Sequence, residues 1–277
     1  MCLIIYLSNM SPRQKIGNKS HVIMVASYKG GVGKTVISVN LAIALKDRGY
    51  SVLLIDADTS NPSIGFNLGM ERNSGGLSKW LRQGASLKSV ITTHGPTGLD
   101  VVNEAINQKP YILTEAMSSK MANDVGSSNY DFVIIDTSPG YRPPPTHSGF
   151  ISEVLTVMTP TRPAYSSAVK LVEELDRLKV SHSVVVNMVR NKKYELRLSE
   201  ITDTFPGEVV SEIPFDDIVP KGIGEKIPAY ELDDRSGFAK ATDTLTDRYS
   251  ERIGYSYPAK KDEGTIERFL NAIFRRE

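Results

Sequence analysis

Between Ser27 and Thr35 the chain reads SYKGGVGKT, a combination of residue types suited to holding phosphate. Gly30, Gly31 and Gly33 around Val32 free backbone N–H groups to turn inward as an anion nest, and the positive end of a following helix adds to it. Lys34 offers a point charge for the β- and γ-phosphates of a nucleotide, and the Thr35 hydroxyl offers a ligand for Mg2+. The stretch departs from the usual GxxxxGK[ST] at its start, and a second lysine, Lys29, stands at the loop entrance. A chance glycine turn is the bland alternative. It does not account for the apolar run HVIMVAS before the loop or the run VISVNLAIALKDRG after it, which is expected to be an amphipathic helix.

Three aspartates follow apolar runs in the same way. Asp56 and Asp58 come after SVLLI, and Asp136 comes after YDFVII. In an open parallel sheet, ligands sit at the carboxyl ends of the strands, so these carboxylates face the phosphate loop. Asp56 and Asp136 are placed to hold Mg2+ opposite Thr35, and Asp58, one step further on, to orient an attacking water. A turn or cap role is the alternative for any one of them.

The elements that must position these residues alternate. HVIMVAS, SVLLIDA, LDVVNE, YDFVIIDTS, EVLTVMTP, HSVVVNM and EVVSEIP read as strands, and VISVNLAIALKDRG, GLSKWLRQG, TEAMSSKMAND and AYSSAVKLVEELDRLK as helices. The pattern predicts an α/β fold, a doubly wound, mostly parallel sheet with helices on both faces. Its one oddity is the proline-rich YRPPPTHSG after the fourth strand.

With 277 residues, 40% of them hydrophobic, the chain can bury a full core. A net charge of +1 exerts no global pull on nucleic acid, and a single cysteine, Cys2, excludes internal disulfides and multi-cysteine metal sites. The start MCLIIYLSNM lacks the features of a secretory signal, and no run reaches the length of a spanning helix.

The order of these motifs, KGGVGKT at 29–35, DADTSNPS at 56–63, IIDTSPG at 134–140, VVVNM at 184–188 and IPFDDIVPKGIGEKIPAY at 213–230, resembles the deviant-Walker P-loop ATPases that include MinD and ParA. The resemblance covers about residues 21–253 and implies an ATPase using ATP/ADP and Mg2+. It implies that two subunits clamp two ATP molecules, Lys29 reaching across to the partner's phosphates, as an arginine finger does. Lys29, Lys34 and Asp58 are then the expected catalytic residues. Gly30, Gly31, Val32, Gly33, Thr35 and Val36 complete the phosphate loop, and Thr35, Asp56 and Asp136 the metal site. The resemblance further implies that Asn187 contacts the adenine edge and that Pro214, Phe215 and Asp216 close over the base, Asp216 also being able simply to cap a turn. Relatives that carry metal at their dimer face need cysteines, which this chain lacks there, and the bacterial tyrosine kinases lack a lysine like Lys29.

Residues 1–20 are expected to be a poorly ordered leader, 21–253 the ATPase domain, 254–263 a linker and 264–277 a C-terminal amphipathic helix. In TIERFLNAIFRRE, Ile266, Phe269, Leu270, Ile273 and Phe274 form an apolar stripe with Arg268, Arg275 and Arg276 beside or opposite it, a pattern that can lie in a membrane interface. Docking on the protein's own core is the alternative. The resemblance to MinD-like members favours a cytoplasmic homodimer with ATP, reversibly bound to the inner face of the cell membrane and stimulated by a protein activator. The second expectation is a ParA-like module that binds nonspecific DNA, with Arg190, Lys192, Lys193 and Arg197 as the contacts.

Overall fold

A computed structural model of the protein describes residues 20–70, 75–107, 109–140 and 149–252. The leader up to residue 19, most of the proline-rich loop, the linker and the tail helix lie outside the described residues. An eight-stranded sheet runs β3-β4-β2-β5-β1-β6-β7-β8, made of β1 (His21–Ala26), β2 (Val52–Ala57), β3 (Thr92–Thr93), β4 (Asp100–Val102), β5 (Phe132–Thr137), β6 (Glu153–Met158), β7 (His182–Val189) and β8 (Val209–Pro214). All neighbours pair in parallel except β3 with β4, which is antiparallel.

The central strands β2, β5 and β6 are buried along their whole length, as parallel strands covered on both faces must be. Alternation then splits their side chains between the faces. Leu54, Ile134 and Ile23 join one core cluster, whereas Leu53, Ile55, Val133 and Ile135 join another. The first face is covered by α1 (Lys34–Asp47) and α10 (Gly237–Arg252), with α2 (Ile64–Leu68), α8 (Ile218–Glu225) and α9 (Ala229–Leu232) beside them. On the other, Leu77, Trp80 and Leu81 of α3 (Gly76–Leu81) and Met121 and Val125 of α5 (Glu115–Gly126) pack on the strands, with Leu87 of α4 (Leu87–Val90). Helix α6 (Arg162–Arg177) lays Leu171 and Leu175 on Met24, Ala26 and Val154, and α7 (Leu198–Thr204) buries Ile201.

Two features differ from expectation. Helix α1 is not amphipathic: every residue from Ile37 to Leu45 is buried, because α10 covers the side that faces away from the sheet. A helix apolar nearly all round needs such double cover. Helix α10 itself has a weak apolar pattern, since Thr242, Thr246 and Ser250 occupy buried positions. Each hydroxyl donates to the carbonyl four residues back, at 2.9, 2.7 and 3.0 Å, so small polar side chains become tolerable in the interior.

The chain runs from β1 leftward to β2 and returns through β5, then crosses to β6 on the other side of β1. Such a reversal opens a crevice at the carboxyl ends of the strands. The loop between β1 and α1 lies there.

Candidate nucleotide-binding site

Two glycines shape the loop. Gly31 has φ +77° with open space where a Cβ would project, and Gly33 has φ +91°. A Cβ on Gly33 would come within 2.3 Å of Asn187 Nδ2, so both backbone conformation and room demand glycine there. The amides of Gly30 to Gly33 donate to no acceptor among the described residues. Unpaired N–H groups converging beside a helix N-terminus form the anion nest that phosphate oxygens require.

Lys34 is buried at the start of α1, and its ammonium donates to Ser27 Oγ at 3.2 Å. Burial holds this ammonium below the ordinary lysine range, against the pull of Asp136 and Asp58. A buried cation with so little compensation favours an anionic ligand.

Thr35 Oγ1 donates to Asp136 Oδ2 at 2.6 Å and accepts from Ser63 Oγ at 2.9 Å. Asp136 Oδ1 accepts from Ser38 Oγ at 3.0 Å, one helical turn after Lys34. Burial pushes the Asp136 carboxyl up to about 6, against the Thr35 hydrogen bond, the Lys34 charge and the Ser38 hydrogen bond. Asp56 stands directly opposite Asp136 in the β2–β5 register. Burial first, and the Asp136 charge next, push its carboxyl well above the usual range. Two buried carboxylates and a hydroxyl are hard oxygen donors whose mutual repulsion a divalent cation would relieve, so the residues fit Mg2+. Asp56 also has a structural task, accepting from the amides of Ser63 and Ile64 at 3.1 Å each, which holds Ser63 against Thr35.

Asp58 is arranged differently. Its Oδ1 accepts from Ser60 Oγ and Ser138 Oγ, both at 2.7 Å, and from the amides of Asn61 and Ser60 at 2.9 and 3.1 Å. Burial pushes this carboxyl up, but those hydrogen bonds outweigh it, and Asp58 ends below the usual range. Oδ2 has no partner among the described residues. An ionised carboxylate with one oxygen anchored and the other open is suited to orient a water molecule.

Residues 23–229 match the family model described as the CobQ/CobB/MinD/ParA nucleotide binding domain. The chain belongs to the MinD/ParA family. An ATP-binding protein of Methanocaldococcus jannaschii is 31% identical over 79% of this chain and 84% of its own length. The antiactivator FleN of Pseudomonas aeruginosa is 30% identical over 78% of this chain and 81% of its own. The fold is that of the septum site-determining protein MinD of Pyrococcus horikoshii, solved with Mg-ADP, at a TM-score of 0.74 and 22% identity over 85% of this chain and 98% of that one.

The remaining MinD/ParA-type positions fall at the same end of the sheet with unequal fit. Asn187, buried at the end of β7, donates through Nδ2 to Val32 O at 2.8 Å and so braces the loop itself. Pro214 pairs beside it, opposite Val189. Phe215 is stacked beneath the Arg190 guanidinium, 3.4 Å from the ring centroid. Asp216 caps elements: it accepts from the amides of Ile218 and Phe238, at 3.1 and 3.3 Å, joining the starts of α8 and α10. Val32 is buried and Val36 packs on the core, so their contribution to a nucleotide site is through the backbone. Lys29 is exposed, and its ammonium has no partner among the described residues. Sequence reasoning missed Ser27, Ser38, Ser60, Ser63 and Ser138, which do most of the positioning. Only Ser38, four positions after Lys34, and Ser60, two after Asp58, carried a local signal.

Proposed function

We propose that the protein is an ATP-dependent dimerisation switch that hydrolyses ATP and cycles on and off a membrane surface to position cellular machinery. The observation that carries this reading is the exposed Lys29, whose ammonium has no partner among the described residues, at the mouth of a loop in which Lys34, Thr35 and the Val32 carbonyl are each held by a hydrogen bond. A lysine with no partner among the described residues, beside a phosphate cradle, suits a phosphate held by a second copy.

In this account the amides of Gly30 to Gly33 and the Lys34 ammonium bind the phosphates of ATP, while Thr35 Oγ1 and Asp136, with Asp56 alongside, hold Mg2+. When bound, Mg2+ would supply charge neutralisation for the β- and γ-phosphates. Asp58 Oδ2 orients the attacking water and takes its proton. Lys29 of each subunit completes the partner's site, so that dimerisation depends on the γ-phosphate.

The membrane half of the proposal rests on the stripe Ile266, Phe269, Leu270, Ile273 and Phe274 in the sequence. Burying such a stripe gives several kcal/mol before ordering costs, about enough for weak attachment by one copy. A dimer presents two, which turns nucleotide state into residence on the surface. A cytoplasmic protein visiting the inner face of the cell membrane, released by activator-stimulated hydrolysis, follows from this.

A second reading is favoured by one observation. Lys192, Lys193 and Arg197 line one crevice beside the end of β7 together with Glu195 and Glu212, so three cations against two carboxylates leave a modest positive excess that suits the DNA backbone. Co-sedimentation of the full chain with anionic liposomes and, separately, retention on nonspecific DNA, each with Mg2+ and either ATP or ADP, decides between them. The membrane reading expects sedimentation with ATP alone. ATP-dependent retention on DNA without liposome binding replaces it by the DNA reading, and neither surface responding to ATP overturns both.

A further inference from the structure

The hydroxyl of Ser27 joins the two loop lysines. Ser27 follows β1, is 3% exposed, and is fixed from behind by the Gly140 amide, which donates to its carbonyl at 2.9 Å. Its Oγ accepts from Lys34 Nζ at 3.2 Å and donates to the carbonyl of Lys29 at 2.7 Å. A hydroxyl has one hydrogen to give. While the Lys34 ammonium occupies one lone pair of Ser27 Oγ, the O–H is directed at Lys29 O, and the peptide at the loop entrance is pinned.

We infer that Ser27 is a positioning residue through which Lys34 controls the loop entrance: a phosphate that draws the Lys34 ammonium away frees the Ser27 hydroxyl to turn, and the Lys29 peptide is released. This inference deepens the switch proposed above and rests on its assignment of Lys34 to phosphate. It supplies what that proposal lacks, a reason for Lys29 to respond to a nucleotide bound in its own subunit. The relay is short, since the three residues lie within eight positions of the sequence, and each link is a single hydrogen bond. The exposed Lys29 side chain moves with its own backbone.

The experiment needs no nucleotide, so its outcome is separable from that of the ATPase reading. Trypsin cuts the Lys29–Gly30 bond, whose carbonyl is the one Ser27 holds, and the initial rate of that cut in the full chain, read by mass spectrometry, reports opening of the entrance. Ser27→Ala is expected to raise the rate about fivefold, the factor for one ordinary hydrogen bond. Ser27→Thr, which keeps the hydroxyl, should restore the wild-type rate. Lys34→Ala should also raise the rate, although it leaves Ser27 in place, and the double variant should cut no faster than Ser27→Ala alone, because both changes act through one path. Independent, additive effects of the two substitutions would overturn the relay, as would a Lys34→Ala protein cut at the wild-type rate. Should Ser27→Ala fail to fold, the Lys34→Ala rate decides by itself.

Discussion

The proposal gives binding to Lys34 and chemistry to Asp58, and each residue can be removed without the other. Lys34→Ala takes away the point charge that spans the phosphates, so ATP binding should vanish in isothermal titration; micromolar affinity in that variant would refute the phosphate loop. Asp58→Ala spares the glycine nest, Thr35 and Asp136. It should bind ATP nearly as the wild type does but hydrolyse it about a hundredfold more slowly or worse, the usual effect of losing a proton-accepting group. Steady-state turnover at the wild-type rate would remove Asp58 from the chemistry. The glycines, lysines and aspartates of this site were legible because their spacing is local: a loop between a strand and a helix, and carboxylates at two strand ends. The serines were not. Ser138 and Asp58 are 80 positions apart and Ser38 and Asp136 are 98 apart, and nothing in a lone serine marks which distant carboxylate it will meet. Asp216 shows the reverse limit, since a turn-capping aspartate and a base-contacting one look alike in sequence and the structure uses its carboxylate to cap two helices.

Among the elements, the seam between β1 and α10 gives a test of packing. His21 sits against Phe132 and Tyr249, at centroid distances of 5.7 and 6.0 Å, and its Nε2 is buried without a hydrogen-bond partner among the described residues. Burial, aided by the Arg252 charge, lowers the His21 pKa from 6.5 to about 4. The folded state therefore binds this proton less tightly than the unfolded chain. Stability from this group is full above pH 6.5 and is lost as pH falls toward 4, on the order of 3 kcal/mol in all. His21→Phe should flatten that part of the stability curve in urea titrations between pH 7 and 4.5. An unchanged slope would place the titrating group elsewhere. All seven strands read from the sequence are present, because buried parallel strands advertise themselves as continuous apolar runs. The two-residue edge strand β3 was too short to leave a pattern, and α10 was hidden by its threonines, whose hydroxyls are satisfied within the helix itself.

At the scale of the whole molecule, the proposal places a second copy of the chain against the loop that carries Lys29. The proposal treats residues 264–277 as a separate device. Deleting residues 264–277 should leave ATP binding and dimerisation intact and abolish ATP-dependent sedimentation with anionic liposomes, and Phe269→Glu should do nearly the same by placing a charge in the apolar stripe. A truncated protein that melts at markedly lower temperature would assign the stripe to the core instead. The central claim, however, is the nucleotide-gated pairing of two subunits through Lys29. It is tested most directly by the molar mass of the full chain, measured by multi-angle light scattering with Mg2+ and ATP, ADP or no nucleotide, for the wild type and for Lys29→Ala. The account predicts a dimer for the wild type with ATP alone, and a monomer for Lys29→Ala under every condition even though it binds ATP. A Lys29→Ala protein that dimerises with ATP as the wild type does, or a wild type whose mass ignores the nucleotide, would contradict it.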